Sequence, residues 1–352
     1  SKGREYRPTN LTMAPVIESG SCIRTLQMDY DEEVAYYGVQ AIYDLARRRN
    51  DNPWFLTVSF THPHSPFVIS EEFWDLYEHE DIPLPSVSPF NLDKMDHLSR
   101  NLHFCQARHH YSINDEHRKN AKHAYYGMIS YIDQKVGELC TALRRSGMSE
   151  DTIIIFTADH GEMMGERGMW YKQHFFEWAA RVPLVVNCPG KWNAKRVSKN
   201  CSLVDLLPTI LELANEATFE DFVNQIDGNS LVPALEGKFG EMPDKVFAEF
   251  AADGSTGPSR MLKSQNFKYM DLEGVEELLF DLDNDPQELN NLIGNKTFAS
   301  VEQNLRSLCK SKWNTEDMYK IIEADQNRRL KIHNSTGGEP SYVNVVRDDD
   351  KT

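Results

Sequence analysis

The chain has 352 residues, 40% hydrophobic and 26% charged, with a formal net charge of −16. This is the composition of a folded globular protein, long enough for one large domain or two smaller ones. The acidic balance argues against a nucleic-acid partner, and no apolar run is long enough to span a membrane. Six scattered cysteines show neither zinc-ligand nor disulfide spacing, which favours a reducing, cytoplasmic compartment. Against that stand four glycosylation sequons, at Asn10, Asn200, Asn295 and Asn334, so a secreted or lumenal location stays open.

Residues 1–28 are irregular and polar. Residues 29–49 form a predicted helix, with acids at its start and arginines at its end, complementing the helix dipole. Its apolar face uses Val34, Tyr37, Ala41, Ile42 and Leu45. After the Asn52-Pro53 turn, residues 54–60 (WFLTVSF) read as a strand ending in Thr61-His62-Pro63-His64. Residues 67–117 read as a long excursion over the strand ends, in which His109 and His110 are solvated loop histidines. Residues 118–145 carry apolar positions at helical spacing.

Residues 152–156 are the next strand, running directly into Thr157-Ala158-Asp159-His160-Gly161. Strand, helix and strand predict a right-handed parallel crossover, with both C-terminal strand ends opening on one sheet edge. There Asp159 offers an oxygen ligand and His160 a nitrogen ligand for a divalent ion. Lys172, twelve residues beyond His160, can return a cation to the same place. On residue type alone, a turn-capping Asp beside an exposed His is an equally acceptable reading of Asp159-His160, and loop filler is the favoured reading of the His62 and His64 pair.

Residues 181–187 (RVPLVVN) are a third strand, and 202–214 a helix interrupted by Pro208. From residue 246 the pattern changes to short strands and turns, a small antiparallel sheet. Residues 296–333 read as helical, with Leu305, Leu308, Trp313, Met318, Ile321 and Ile322 toward a core. Residues 334–352 are a polar tail.

THPHSPF, AYYGMISYIDQKVGEL, FTADHGEMMGERGMWYK, RVPLVV, SLVDLLPTILELA and FDLDNDPQELNNL occur in that order. Together they resemble the sulfatase branch of the alkaline phosphatase superfamily. The long extension after ADHG, through GERG to WYK, is similar to its choline-sulfatase type. The resemblance implies an α/β fold: an alkaline-phosphatase-like sheet sandwiched by helices, with a small C-terminal antiparallel sheet plus helix. The expected division is a core over 1–245, a small-sheet and helix subdomain over 246–333, and a tail over 334–352.

The implied activity is hydrolysis of a small-molecule sulfate ester, choline sulfate foremost. A phosphoester or phosphonate hydrolase and a non-catalytic scaffold are the alternatives. The resemblance maps Asp159 and His160 to metal ligands, and Lys172 to the lysine that contacts sulfate. It maps His64 to the histidine that assists the leaving group, and Glu249 to a carboxylate facing the substrate ammonium. His62 is expected to be structural, and Trp170 and Tyr171 to pack in the core. The implied cofactor is one divalent ion, calcium or magnesium with manganese as a further option. Neither nucleic acid nor membrane is an expected partner, and a homo-oligomer is expected.

The family nucleophile is formylglycine, made from a cysteine in a C-x-P-x-R motif. None of the six cysteines here has that context, and the family's N-terminal Asp-Asp metal pair is absent. The chain therefore reads as a sulfatase lacking its N-terminal part, where a leader would also lie. By itself it is expected to have no turnover and to hold a divalent ion poorly.

Overall fold

The structure is a computed structural model, and it describes residues 12–48, 52–215, 226–255 and 257–335. The 334–352 tail lies outside the described residues except at its first two positions. Strand β1 (Gly20–Cys22) leads into helix α1 (Leu26–Arg48), which has Asp29 in its first turn and Arg47 and Arg48 in its last. The buried face of α1 is Met28, Asp31, Ala35, Gly38 and Ile42. Of the expected apolar face, Tyr37 instead points to solvent. The helix turns its small residues inward because its neighbour is close: a Cβ on Gly38 would lie 3.0 Å from Leu139.

Strand β2 (Val68–Ser70) pairs in parallel with β1, Gly20 opposite Val68. Helix α2 (His97–Cys105) is capped by Asp96, whose carboxylate accepts from Ser99 N at 2.9 Å. Helix α3 (Asp115–Arg145) starts three residues before its apolar periodicity, because Asn114 and His117 form a reciprocal capping box. Its inner face, including Ala124, Met128, Tyr131 and Ile132, forms a core with Met28, Phe67, Phe73, Trp170 and Tyr171.

Strand β3 (Ile154–Thr157) pairs antiparallel with β4 (Leu184–Asn187), with Ile154 opposite Asn187. The expected parallel crossover between residues 54–60 and β3 is therefore corrected. Residues 54–60 belong to no strand pair among the described residues, although burial alternates from Phe55 to Phe60. Leu56 packs beside Ile42, Ala142 and Leu143, and Phe60 joins the larger core. Apolar alternation fixes which side of an extended run faces the helices. A strand also needs a hydrogen-bonded neighbour, which the run itself does not encode.

Helix α4 (Leu206–Leu213) carries Pro208 in its first turn, where a missing N–H costs no helical bond; Pro208 marks a start and not an interruption. The C-terminal sheet has four antiparallel strands in chain order: β5 (Lys245–Phe250), β6 (Ser259–Ser264), β7 (Phe267–Leu272) and β8 (Glu276–Asp281). One face packs on Leu98, Leu102, Met163 and Phe176, and the other on Leu305 and Cys309 of α5 (Ala299–Lys312). Helix α6 (Thr315–Ser335) buries no residue, and Ile321 is 69% exposed, contrary to its predicted core role. No described helix is long and apolar enough to cross a membrane.

Candidate active site

The turn after β3 is dictated by crowding at Gly161. A Cβ there would sit 2.1 Å from the Trp178 carbonyl oxygen, so only glycine fits. Gly161 N and Glu162 N donate to Ala179 O (2.8 Å) and Trp178 O (2.9 Å), which pins the turn to the following chain. Just before it, the Asp159 carboxylate accepts its neighbour's amide N–H, from His160 N at 2.9 Å. His160 Nδ1 donates to Gly161 O at 2.7 Å, leaving Nε2 as the acceptor nitrogen, 3.6 Å from Asp159 Oδ2.

Adjacent oxygen and nitrogen donors of this kind suit two positions around one divalent ion, and the carbonyl contact at Nδ1 orients the imidazole as metal ligands require. Among the described residues no group of three or more His, Cys, Asp or Glu side chains could hold a metal. Asp159 and His160 therefore fit as part of a coordination shell and do not complete one.

Lys172 sits at the end of a loop folded back on itself. Its neighbours Tyr171 and Gln173 both have left-handed backbones, at φ 66° and 72°. Such conformations in non-glycine residues persist only where the surroundings enforce them. At Tyr171 Glu162 does so: its half-buried carboxyl accepts from Tyr171 N at 2.5 Å and Met164 N at 3.2 Å. Burial pushes the Glu162 carboxyl up to about 7, against the pull of these N–H groups and of Lys172. Trp170 and Tyr171 are buried in the core as expected, and the Tyr171 hydroxyl donates to Thr12 O at 2.6 Å.

His64 arrives from the other segment. Its Nδ1 donates to Ser65 O at 2.6 Å, so Nε2 carries the lone pair and meets Lys172 Nζ at 3.0 Å. Partial desolvation, then the charges of Lys172 and His160, lower its pKa below the ordinary histidine value, while the bond to Ser65 O and, more weakly, Asp159 pull the other way. Residues 108 positions apart thus meet in one polar cluster, within electrostatic reach of Asp159 and His160.

His62 is buried and held by Asp31, a structural place as expected, whereas His109 and His110 are exposed. Glu249 is exposed on the edge strand β5, opposite Arg260, and its side chain has no hydrogen bond or ion pair among the described residues. No contact joins it to the cluster of His64 and Lys172. Two groups escaped the residue-by-residue reading. Glu162 carries a signal, since it lies inside the ADHGEMMG run. Asp31 carries none, because its contacts lie 30 and 31 positions away.

The sequence pattern of the Sulfatase family matches residues 2–216, and that of the N-sulphoglucosamine sulphohydrolase C-terminal region matches 165–315. A choline-sulfatase of Rhizobium meliloti (strain 1021) is 37% identical over 327 residues, 91% of this chain and 63% of that protein. An arylsulfatase of Clostridium perfringens is 30% identical over 298 residues, 83% of this chain and 59% of that protein. The phosphonate monoester hydrolase of Agrobacterium radiobacter superposes with a TM-score of 0.65 at 29% identity, over 79% of this chain and 60% of that one. The chain thus spans about six tenths of the length of these relatives. The fold is alkaline-phosphatase-like, and the chain belongs to the sulfatase family.

Proposed function

We propose that this chain carries part of the active site of a metal-dependent sulfatase that hydrolyses choline sulfate to choline and sulfate. The observation that carries the reading is the meeting of His64 Nε2 and Lys172 Nζ at 3.0 Å, within electrostatic reach of Asp159 and His160. Ester hydrolysis builds negative charge on the sulfuryl oxygens and on the leaving alcohol oxygen, and fixed cations stabilise both. Lys172 takes the sulfuryl or bridging oxygen. His64, with Nδ1–H spent on Ser65, can serve the departing oxygen only from Nε2, once that nitrogen has taken a proton from solvent; it then gives that proton to the leaving alcohol and returns to the neutral imidazole. Asp159 and His160 would hold one divalent ion together with ligands from outside these residues, and that ion would supply further positive charge at the sulfuryl group. The formylglycine nucleophile comes from outside these residues, because no cysteine here has the required context.

Choline specificity is assigned to Glu249, whose exposed carboxylate can face a quaternary ammonium. An acidic chain also repels a zwitterionic ester less than an anionic one. The likeness to a phosphonate monoester hydrolase favours a second reading, phosphonate or phosphoester hydrolysis at the same cluster.

The test compares choline sulfate, an aryl sulfate and a phosphonate monoester on the full natural gene product. Choline sulfate should be turned over fastest, and Glu249→Gln should raise KM for it more than for the aryl ester, whose alcohol carries no cation. Equal effects on both would make Glu249 a scaffold residue, and fastest turnover of the phosphonate would favour the second reading. The 352-residue chain alone should be silent, and substantial hydrolysis by it would place a nucleophile within it.

A further inference from the structure

Helix α1 reaches the His64 turn with two side chains one helical turn apart. Asp31 is fully buried and accepts three hydrogen bonds: from Thr61 N (2.7 Å), His62 N (2.9 Å) and His62 Nδ1 (2.6 Å). Gln27 Nε2 donates to His64 O at 3.0 Å. The turn is closed from within by His64 N donating to Thr61 O at 3.0 Å. Every bond that α1 makes to this turn therefore falls on residues 61–64.

We propose that Asp31, seconded by Gln27, is the positioning residue of the site: it fixes the 61–64 turn on α1 and thereby aims the His64 imidazole at Lys172. The inference rests on the reading of His64 and Lys172 as catalytic.

A carboxylate without solvent must be compensated by hydrogen bonds, and here all three go to the two residues just ahead of Pro63-His64. A carboxylate serving only to tie α1 to its neighbour helix would point across the helix pair. Glu32, the next residue, does that, accepting from Tyr131 Oη (3.1 Å) and Lys135 Nζ (2.8 Å) of α3. The His62 ring packs on Tyr131 of the same helix, with centroids 4.9 Å apart. The turn is thus referenced to the rigid helix pair, and one further bond, His64 Nδ1 to Ser65 O, sets the tautomer that faces Lys172. Holding a reacting group within a fraction of an ångström is what such supporting shells contribute.

Two arms test this. In the full natural gene product, Asp31→Asn should lower kcat about 10–100-fold with a much smaller change in KM. In a His64→Ala background the same change should cost nothing further. Multiplicative losses would mean that Asp31 acts on the fold and not through His64, overturning the proposal. The second arm needs no turnover: multiple-bond ¹⁵N–¹H spectra of this chain report the His64 tautomer. Wild type should show His64 as the single Nδ1–H form, and Asp31→Asn should average it. An unchanged His64 signal in folded Asp31→Asn protein would overturn the proposal. Gln27→Ala, which removes only the bond to His64 O, should do the same to a lesser degree, and it decides the question if Asp31→Asn fails to fold. Unaltered turnover in His64→Ala together with an averaged tautomer in Asp31→Asn would defeat the catalytic reading of His64 and leave the aiming role standing.

Discussion

The C-terminal sheet and the strand-end cluster solve the problem of holding side chains in opposite ways. In the sheet, four strands share continuous antiparallel ladders and both faces are covered by apolar clusters. Backbone pairing and burial do the organising there. At the cluster, β3 has a single neighbour and residues 54–60 have no ladder among the described residues. Order comes instead from carboxyl groups that accept backbone N–H: the buried Asp31 under the His64 turn, and the half-buried Glu162 on Tyr171 N beside Lys172. A ladder spreads its stabilisation over many bonds. A carboxylate clamp concentrates it on a few, and so can be broken by one substitution.

The sheet has a charged clamp of its own at Lys268, which gives the largest expected effect. Lys268 is fully buried between Glu288 (2.9 Å) and Glu177 (2.5 Å), and donates to Phe175 O at 2.8 Å. Lys268→Ala leaves Glu288 buried without its cation, while the half-buried Glu177 keeps Lys263 at 3.2 Å, and should cost about 3–5 kcal/mol in chemical unfolding. A loss under about 1 kcal/mol would show that the ladder alone carries this region. Next in size is Gly161→Ala. The 2.1 Å approach to Trp178 O leaves no room, so a loss of about 1–3 kcal/mol is expected, with displacement of Asp159 and His160. Unchanged stability would mean that the turn after β3 is looser than described.

The smallest effect is a pH dependence. Asp96 is buried; that burial, which would raise its pKa, is outweighed by the His174 charge and by hydrogen bonds from His174 and Ser99. Its folded pKa thus lies below the unfolded value of about 4. The stability it contributes is fully present above that value and is lost as pH falls toward the folded one. Asp96→Asn should lower the urea midpoint at pH 7 and flatten its decline in acid. Parallel curves for mutant and wild type would contradict this.

Local pattern carried much of the architecture. Apolar spacing at 3.6 marked α1 and α3, and β-branched runs marked β3 and β4. The ADHG run placed Asp159 and His160 at a strand end because the strand and its turn are contiguous in sequence. What escaped was non-local. The pairing of residues 54–60 depends on neighbours that the run does not contain. Ile321 and Ile322 have helical spacing, yet among the described residues α6 buries none of its side chains. Asp31 reads as one acid among several at a helix start, and only folding brings Thr61 and His62 onto it.

The central claim is that His64 and Lys172 act on the sulfuryl group itself, whatever alcohol it carries. The direct measurement is kcat/KM of Lys172→Ala in the full natural gene product, on choline sulfate and on an aryl sulfate. Loss of a preorganised cation at the developing charge should lower both by about 10²–10³-fold, and by the same factor. Unchanged turnover, or a loss confined to one ester, would contradict it.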